Sequence, residues 1–203
     1  MRDRRAERRQ ATIDEIIEHA WRLARSEGLA GLSLRELAAE VGMRPQSLYS
    51  YFESKHAIYD TMFAQGCRQF AEGQARWKLT GDAHSDLRTI GRYFVDFCTA
   101  DPVRYQLMFQ RTIPGFEPSA ESFAISVEGL AAVRAHLASL GIDDPRDIDL
   151  FTAIGTGLTD QQISNDPGGD RWASLTDDAI EMYLDFVTRR SRPEPSSKQG
   201  HTR

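Results

Sequence analysis

Apolar positions along this chain recur at helical rather than strand spacing almost from end to end. Ile13, Ile16, Ile17, Ala20, Trp21 and Ala24 fall at i, i+3, i+4, i+7, i+8 and i+11, which predicts an amphipathic helix over 11–27 that stops at Gly28. In Ser33–Phe52 (SLRELAAEVGMRPQSLYSYF), Leu34, Leu37, Ala38 and Val41 make the apolar face of a second, short helix. Ser33 with Glu36 three residues on reads as a capping box, so that each end of the pair satisfies an orphan donor. Gly42 suits the left-handed residue that ends a helix, and Pro45 suits the first turn of the next one. On that third helix Leu48 and Phe52 share one side, while Gln46, Tyr49, Ser50 and Glu53 share another. One face packs inward and a polar face points out. That is a helix-turn-helix, with its outward helix shaped for a DNA major groove.

Downstream the same period continues. Ser54 is the expected cap of a long helix that runs from Lys55 through Ile58, Tyr59, Met62, Phe63, Cys67 and Phe70 to about Trp77. Further helices are expected around Leu87–Phe97, Val103–Phe109, Ser119–Leu140, Asp147–Ser164 and Leu175–Thr188, with the proline-rich RTIPGFEP (111–118) irregular. No strand and no internal repeat is expected. The fold class is all-α, with an N-terminal three-helix head and a C-terminal helical body. Expected divisions are a basic arm at 1–10, the helix-turn-helix domain at 11–55, a ligand-binding and dimerising body at 56–190, and a disordered tail at 191–203.

The last two helices carry more apolar surface than one core-facing stripe needs. In the final helix Leu175, Ala179, Met182 and Phe186 form one stripe, and Ile180, Tyr183, Leu184 and Val187 form another. The helix before it carries Ile148, Phe151, Ile154 and Leu158, with Gly155 and Gly157 permitting close backbone approach. Burial on two sides follows, one in the chain's own core and one against a second copy. The interface set read from this pattern is Phe151, Ile154, Gly155, Leu158, Ile180, Tyr183, Leu184 and Val187. The alternative is a helix packed all round inside its own monomer.

Composition changes this picture little. Hydrophobic content of 40% and charge of 27% describe an ordinary globular chain of 203 residues. The net charge of −5 argues against nonspecific attraction to a polyanion, yet residues 1–9 hold five Arg against Asp3 and Glu7. A basic arm on an acidic body is compatible with DNA, because charge at the contact matters more than the sum. Cys67 and Cys98 lack CxxC spacing and read as small buried hydrophobes in a reducing compartment. No apolar run is long enough for a membrane span, and MRDRRAERR lacks the apolar segment of a secretory signal, so the expected place is the cytoplasm. His19, His56, His84, His136 and His201 are scattered, with no HExxH, no GxSxG and no phosphate-binding glycine loop. Asp143, Asp144, Asp147 and Asp149 surround a helix start, where carboxylates favour the macrodipole. No metal, cofactor or catalytic residue is assigned, and an enzyme is the remote alternative.

GMRPQSLYSYFESKHAIYD resembles the turn and recognition helix of the TetR family of bacterial transcriptional repressors, whose pattern is G-[VM]-S-x-[GP]-[TS]-L-Y-x-[HY]-F-x-x-K. Gly42, Met43, Ser47, Leu48, Tyr49, Tyr51, Phe52 and Lys55 match it. Arg44 stands where a small capping residue is common, and Gln46 where Gly or Pro is common. The likeness covers about the first 65 residues. It implies an all-helical homodimer whose last two helices form a four-helix interface. It also implies two heads on successive major-groove turns of a palindromic operator in double-stranded DNA.

For base contact the first candidate is Gln46, whose amide can pair with adenine N6 and N7. Arg44 at the helix start reaches a guanine or a phosphate, and Ser47 a base or the backbone. Tyr49, Tyr51 and Lys55 are the expected phosphate clamps, as the matching residues usually are in the family. Pro45, Ser50 and Ser33 complete the candidate DNA-binding set. For a small apolar or aromatic effector the candidate wall is Tyr93, Phe94, Phe97, Met108, Phe109, Phe116 and Phe123, grouped around the proline loop. A constitutive dimeric regulator without a ligand is the nearer alternative.

Overall fold

A computed structural model describes residues 4–190, and every described regular element is helical. They are α1 (Arg4–Gly31), α2 (Leu34–Glu40), α3 (Pro45–Leu48), α4 (Lys55–Gln74), α5 (Ala83–Ala100), α6 (Pro102–Phe109), α7 (Ala120–Ser139), α8 (Pro145–Asn165), a 3-10 turn at Ala173–Leu175, and α9 (Thr176–Arg190). None of these is long and apolar enough to cross a membrane. The all-α expectation therefore holds, with the helix-turn-helix at the N-terminal end. The tail expected at 191–203 lies outside the described residues.

Most helix boundaries follow local chemistry. Ser54 accepts the amide of Ala57 at 3.1 Å, Asp101 that of Arg104 at 3.1 Å and Asp144 that of Arg146 at 2.9 Å. Of the capping box only one half forms: Ser33 Oγ accepts the Glu36 amide at 3.4 Å. Gly42 adopts φ 68°, and the Met43 amide returns to the Ala38 carbonyl at 2.8 Å, which closes α2 and turns the chain toward α3. The first helix departs from expectation. It begins at Arg4 rather than Ala11, so residues 4–10 of the arm are two added turns of α1. Arg and Ala are strong helix formers, and a helix already nucleated extends cheaply through them.

The chain divides into two compact units. The first holds residues up to 77 together with 97–133, and the second holds 78–96 with the residues from 134 on. A boundary after residue 55 is not where the packing separates. Ile16, Ile17, Ala20, Trp21 and Ala24 of α1 join Leu37, Leu48 and Phe52 of the turn in one buried cluster, which continues through Ile58, Tyr59, Met62 and Phe63 of α4 to Leu107 of α6. Polar bonds fasten the same parts. Trp21 Nε1 donates to Gln65 Oε1 at 2.7 Å, and Arg25 donates through Nε and Nη2 to Asp101 Oδ2 at 3.1 and 2.7 Å. Asp60 of α4 accepts from Ser119 N, Ser119 Oγ and Ser122 Oγ at 2.6–2.9 Å, holding the start of α7. The buried Tyr59 hydroxyl donates to the Leu29 carbonyl. The helix-turn-helix is thus one end of a larger packed body.

In the second unit α9 lies on α8 and α5. Tyr183 Oη donates to the Asp147 carbonyl at 3.0 Å, and Arg190 reaches Asp144 and Asp147 at 2.6 and 2.7 Å. From α5, Arg88 pairs with Glu181 at 2.5 Å and Arg92 Nε with Asp177 at 2.6 Å. Asp86, fully buried, accepts from Thr80 N, Thr80 Oγ1, Gly81 N and His136 Nε2 at 2.7–3.0 Å. Burial pushes its carboxyl up, but the hydrogen bonds from Thr80, Gly81 and His136 outweigh burial and hold it below the ordinary carboxylate value.

The interface set read from sequence needs correction here. Ile180, Tyr183, Leu184 and Val187 are all at most 5% exposed, so they are the chain's own core. Gly155 also faces inward: a Cβ there would sit 3.2 Å from Phe94 Cδ1. Phe151 turns its ring to Tyr183, with centroids 5.5 Å apart, and Ile154 and Leu158 are half-buried. The stripe left open is the other one, with Met182 73% and Phe186 51% exposed on α9 and Leu175 40% exposed in the 3-10 turn before it. Both stripes are apolar, and the inward one carries Tyr183, whose hydroxyl meets the Asp147 carbonyl, while Glu181, Asp177 and Arg190 pair with residues of α5 and α8.

Candidate nucleic-acid interface

The recognition helix is short and shallowly rooted. Leu48 and Phe52, 2% and 7% exposed, plug α3 into the head core. The intervening residues are left outside: Arg44, Pro45, Gln46, Ser47 and Ser50 are exposed, and Tyr49 is 55% exposed. Arg44 occupies the N-cap without a side-chain bond, and its guanidinium is available at the helix start. Gln46 is exposed, at helical spacing from Tyr49 and Ser50. An exposed amide beside an exposed phenol on a helix rooted by two apolar side chains can read a base edge and contact the neighbouring phosphates. Five of the nine candidate DNA-binding residues (Arg44, Gln46, Ser47, Tyr49, Ser50) are therefore brought together on one open surface, with Pro45 setting the helix start beneath them.

The remaining candidates are otherwise engaged. Ser33 uses its oxygen as the cap of α2. Lys55 turns inward: its Nζ donates to the Ala30 carbonyl at 3.0 Å and sits 5.5 Å from the Tyr59 ring centroid. Burial lowers its pKa. The reason lies in α1, where Gly28 at φ 75° breaks the helix and leaves a carbonyl that the nearest ammonium satisfies. Tyr51 is half-buried under the Arg9 guanidinium, 4.9 Å from the ring centroid. Arg9 also donates from Nη1 to the Ser50 carbonyl at 3.1 Å. Reading the sequence missed Arg9, although its place was marked. Positions 9, 13, 16 and 20 continue the stripe of α1 that faces the head.

The candidate effector wall is divided between the two units. Tyr93 and Phe94 belong to the second, where Phe94 packs on Gly155. In the first, Phe97 meets Phe70 edge-on at 5.0 Å and lies under Arg104, 3.6 Å from its ring centroid. Met108 Sδ presses on α4, where a Cβ at Gly66 would come within 2.7 Å. Phe116 stacks against Tyr59 and His56 at 5.6 and 5.9 Å, and Phe109 meets Phe70 at 6.0 Å. Phe123 stays 52% exposed. Among the described residues no group of His, Cys, Asp or Glu is placed to hold a metal ion.

Comparison with known proteins agrees with the head. Residues 16–62 match the family described as bacterial regulatory proteins, tetR family. Over 147 residues the chain is 30% identical to the HTH-type transcriptional repressor DrrR1 of Streptomyces coeruleorubidus, covering 70% of this chain and 48% of that one. It spans about half the length of the curated relatives it matches. Among solved structures, the regulatory protein SCO4313 superposes with a TM-score of 0.69 at 22% identity, over 90% of this chain and 100% of that one. AibR, solved with isovaleryl coenzyme A and operator DNA, gives 0.62 at 19% identity, over 84% and 96%. These likenesses of structure show a shared fold. The matched family and the curated relatives are described as transcriptional regulators rather than enzymes.

Proposed function

We propose, for a chain whose head belongs to the tetR family of bacterial regulatory proteins, that it is a transcriptional repressor binding a palindromic operator as a homodimer and released by a small apolar or aromatic effector. The observation that carries the DNA reading is the open surface of Arg44, Gln46, Ser47, Tyr49 and Ser50 on a helix anchored by Leu48 and Phe52. One such helix touches too few base pairs to single out a site in a genome. Two of them, roughly 34–36 Å apart on one duplex face, multiply their selectivities. The exposed Leu150, Leu175, Met182 and Phe186 supply the apolar surface for the second copy. Along α8 they are continued by Ala153 and the open Gly157, where another helix can approach closely.

Effector release is supported by AibR, which shares the fold and was solved with an acyl thioester and operator DNA. Acyl-coenzyme A thioesters are accordingly the first ligands to try. The effector must favour the head spacing that misfits DNA by about 1–3 kcal/mol to change occupancy usefully. The test is selection of duplexes from a random library with the full chain, followed by gel-shift titration. A palindromic sequence should emerge. Gln46→Ala should relax preference at one base step, costing about 1–3 kcal/mol there, and Tyr49→Phe should weaken all duplexes alike. Recovery of no preferred duplex refutes the DNA reading. A preferred duplex whose affinity no tight-binding ligand alters refutes the effector and leaves a constitutive regulator.

A further inference from the structure

We propose that Arg9, a residue of α1, is a positioning residue for sequence recognition, acting through Tyr51 and the exit of the recognition helix. The proposal rests on the DNA-binding reading above and goes beyond it. Helix α3 is a single turn, Pro45–Leu48, far short of the length at which a helix supports itself. Its exit is held by bonds from the Ser50, Tyr51 and Phe52 amides to the Ser47 and Leu48 carbonyls, at 2.9–3.1 Å. The Ser50 hydroxyl also returns to the Ser47 carbonyl at 2.7 Å. Two residues further on, the Ser50 carbonyl is taken from outside the turn by Arg9 Nη1 at 3.1 Å. The same guanidinium lies over the Tyr51 ring, 4.9 Å from its centroid.

Two contacts from one rigid planar group therefore fix the segment that carries Tyr49, Ser50 and Tyr51. The backbone that carries this group is fixed, because Arg9 belongs to a helix rooted by the buried Ile16, Ile17 and Trp21. A cation at the carbonyl end of a short helix is also favourable to its dipole. Arginine suits the place for its shape, since a lysine keeps the charge but cannot both stack flat and donate from a fork. The consequence is that α1 sets the pitch of the recognition face from 41 residues away.

The charge-conserving variant separates this role from a plain phosphate contact. Full-length wild type, Arg9→Lys, Tyr51→Leu and the double variant are titrated against the duplex selected by wild type and against its scrambled form, over a series of salt concentrations. The expected result is that Arg9→Lys loses about tenfold in the ratio of selected to scrambled affinity. Scrambled-duplex affinity and the slope of log K against log salt should stay as in wild type. The double variant should lose less than the product of the two single losses, because the ring contact is released by both changes while the bond to the Ser50 carbonyl is released only with Arg9. Arg9→Lys binding like wild type overturns the proposal. So does Arg9→Gln, added to the series, weakening both duplexes equally with a slope smaller by about 0.9, the mark of one lost phosphate contact. A wild-type chain that selects no duplex at all overturns the DNA-binding reading, and this proposal with it.

Discussion

Replacing Phe186 with Ala tests which face of α9 meets a second copy. A Phe side chain presents on the order of 200 Å² when fully open. With Phe186 51% exposed, about 100 Å² per chain remains to be covered, and about twice that across a two-fold axis. At roughly 25 cal/mol per Å², complete burial of that area is worth about 5 kcal/mol of dimer. Rim positions are covered only in part, so about half of that figure, some 2–3 kcal/mol, is the working expectation. It corresponds to roughly a 30- to 150-fold weaker dimer. Phe186→Glu should go further, because a carboxylate would have to be desolvated without a partner.

Sedimentation velocity over a dilution series reads the effect directly, with circular dichroism melts alongside. The Phe186 variants should melt only slightly below wild type when compared as monomers, since half of the ring is open and Arg190, 5.9 Å from its centroid, keeps its pairs with Asp144 and Asp147. Val187→Ala is the converse case. Val187 is 5% exposed, so that variant should lower stability by about 1–2 kcal/mol without a separate effect on association. Phe186→Glu remaining a dimer at low micromolar concentration refutes the assignment of the outer stripe. A monomeric wild type refutes the dimer.

Three further outcomes follow from buried polar groups. Tyr59→Phe removes the donor to the Leu29 carbonyl in the head core and should cost about 1–2 kcal/mol in chemical denaturation; burial holds the Tyr59 phenol up at about 12, so its contribution is present below pH 10 and is lost as pH rises toward 12. Asp86 is held below its ordinary value, so its stabilisation is complete above about pH 4 and falls away as pH drops through the folded-state pKa; Asp86→Asn should be less stable at pH 7 and show a flatter acid limb in pH-dependent melts. Burial raises the Cys67 thiol to about 11, so native protein at pH 8 should resist iodoacetamide at Cys67 by mass spectrometry while the unfolded chain reacts, and rapid native labelling would contradict the packing of α4.

What the sequence made legible were features whose partners lie a few residues away. Gly42 at φ 68°, Pro45 at the start of α3 and the Ser54 cap each answer a need of the adjacent backbone, and each forms as expected. What it concealed were choices made by distant partners. Both stripes of α9 are apolar, and distant partners turn one inward: the Asp147 carbonyl, 36 residues from Tyr183, together with Arg88 and Arg92 of α5 on Glu181 and Asp177. The break at residue 55 looked like a domain edge because the motif ends there, yet α4 is shared with α6 and the start of α7. Lys55 and Gln46 show the rule most clearly. Both are long polar side chains beside the recognition turn. Gly28 leaves the Ala30 carbonyl open within reach of Lys55, and the ammonium folds back onto it. Gln46, inside α3, is exposed. Lys55 is drawn off the recognition surface by a carbonyl that a glycine 27 residues earlier in the chain leaves unmet, a choice that the local sequence around Lys55 does not contain.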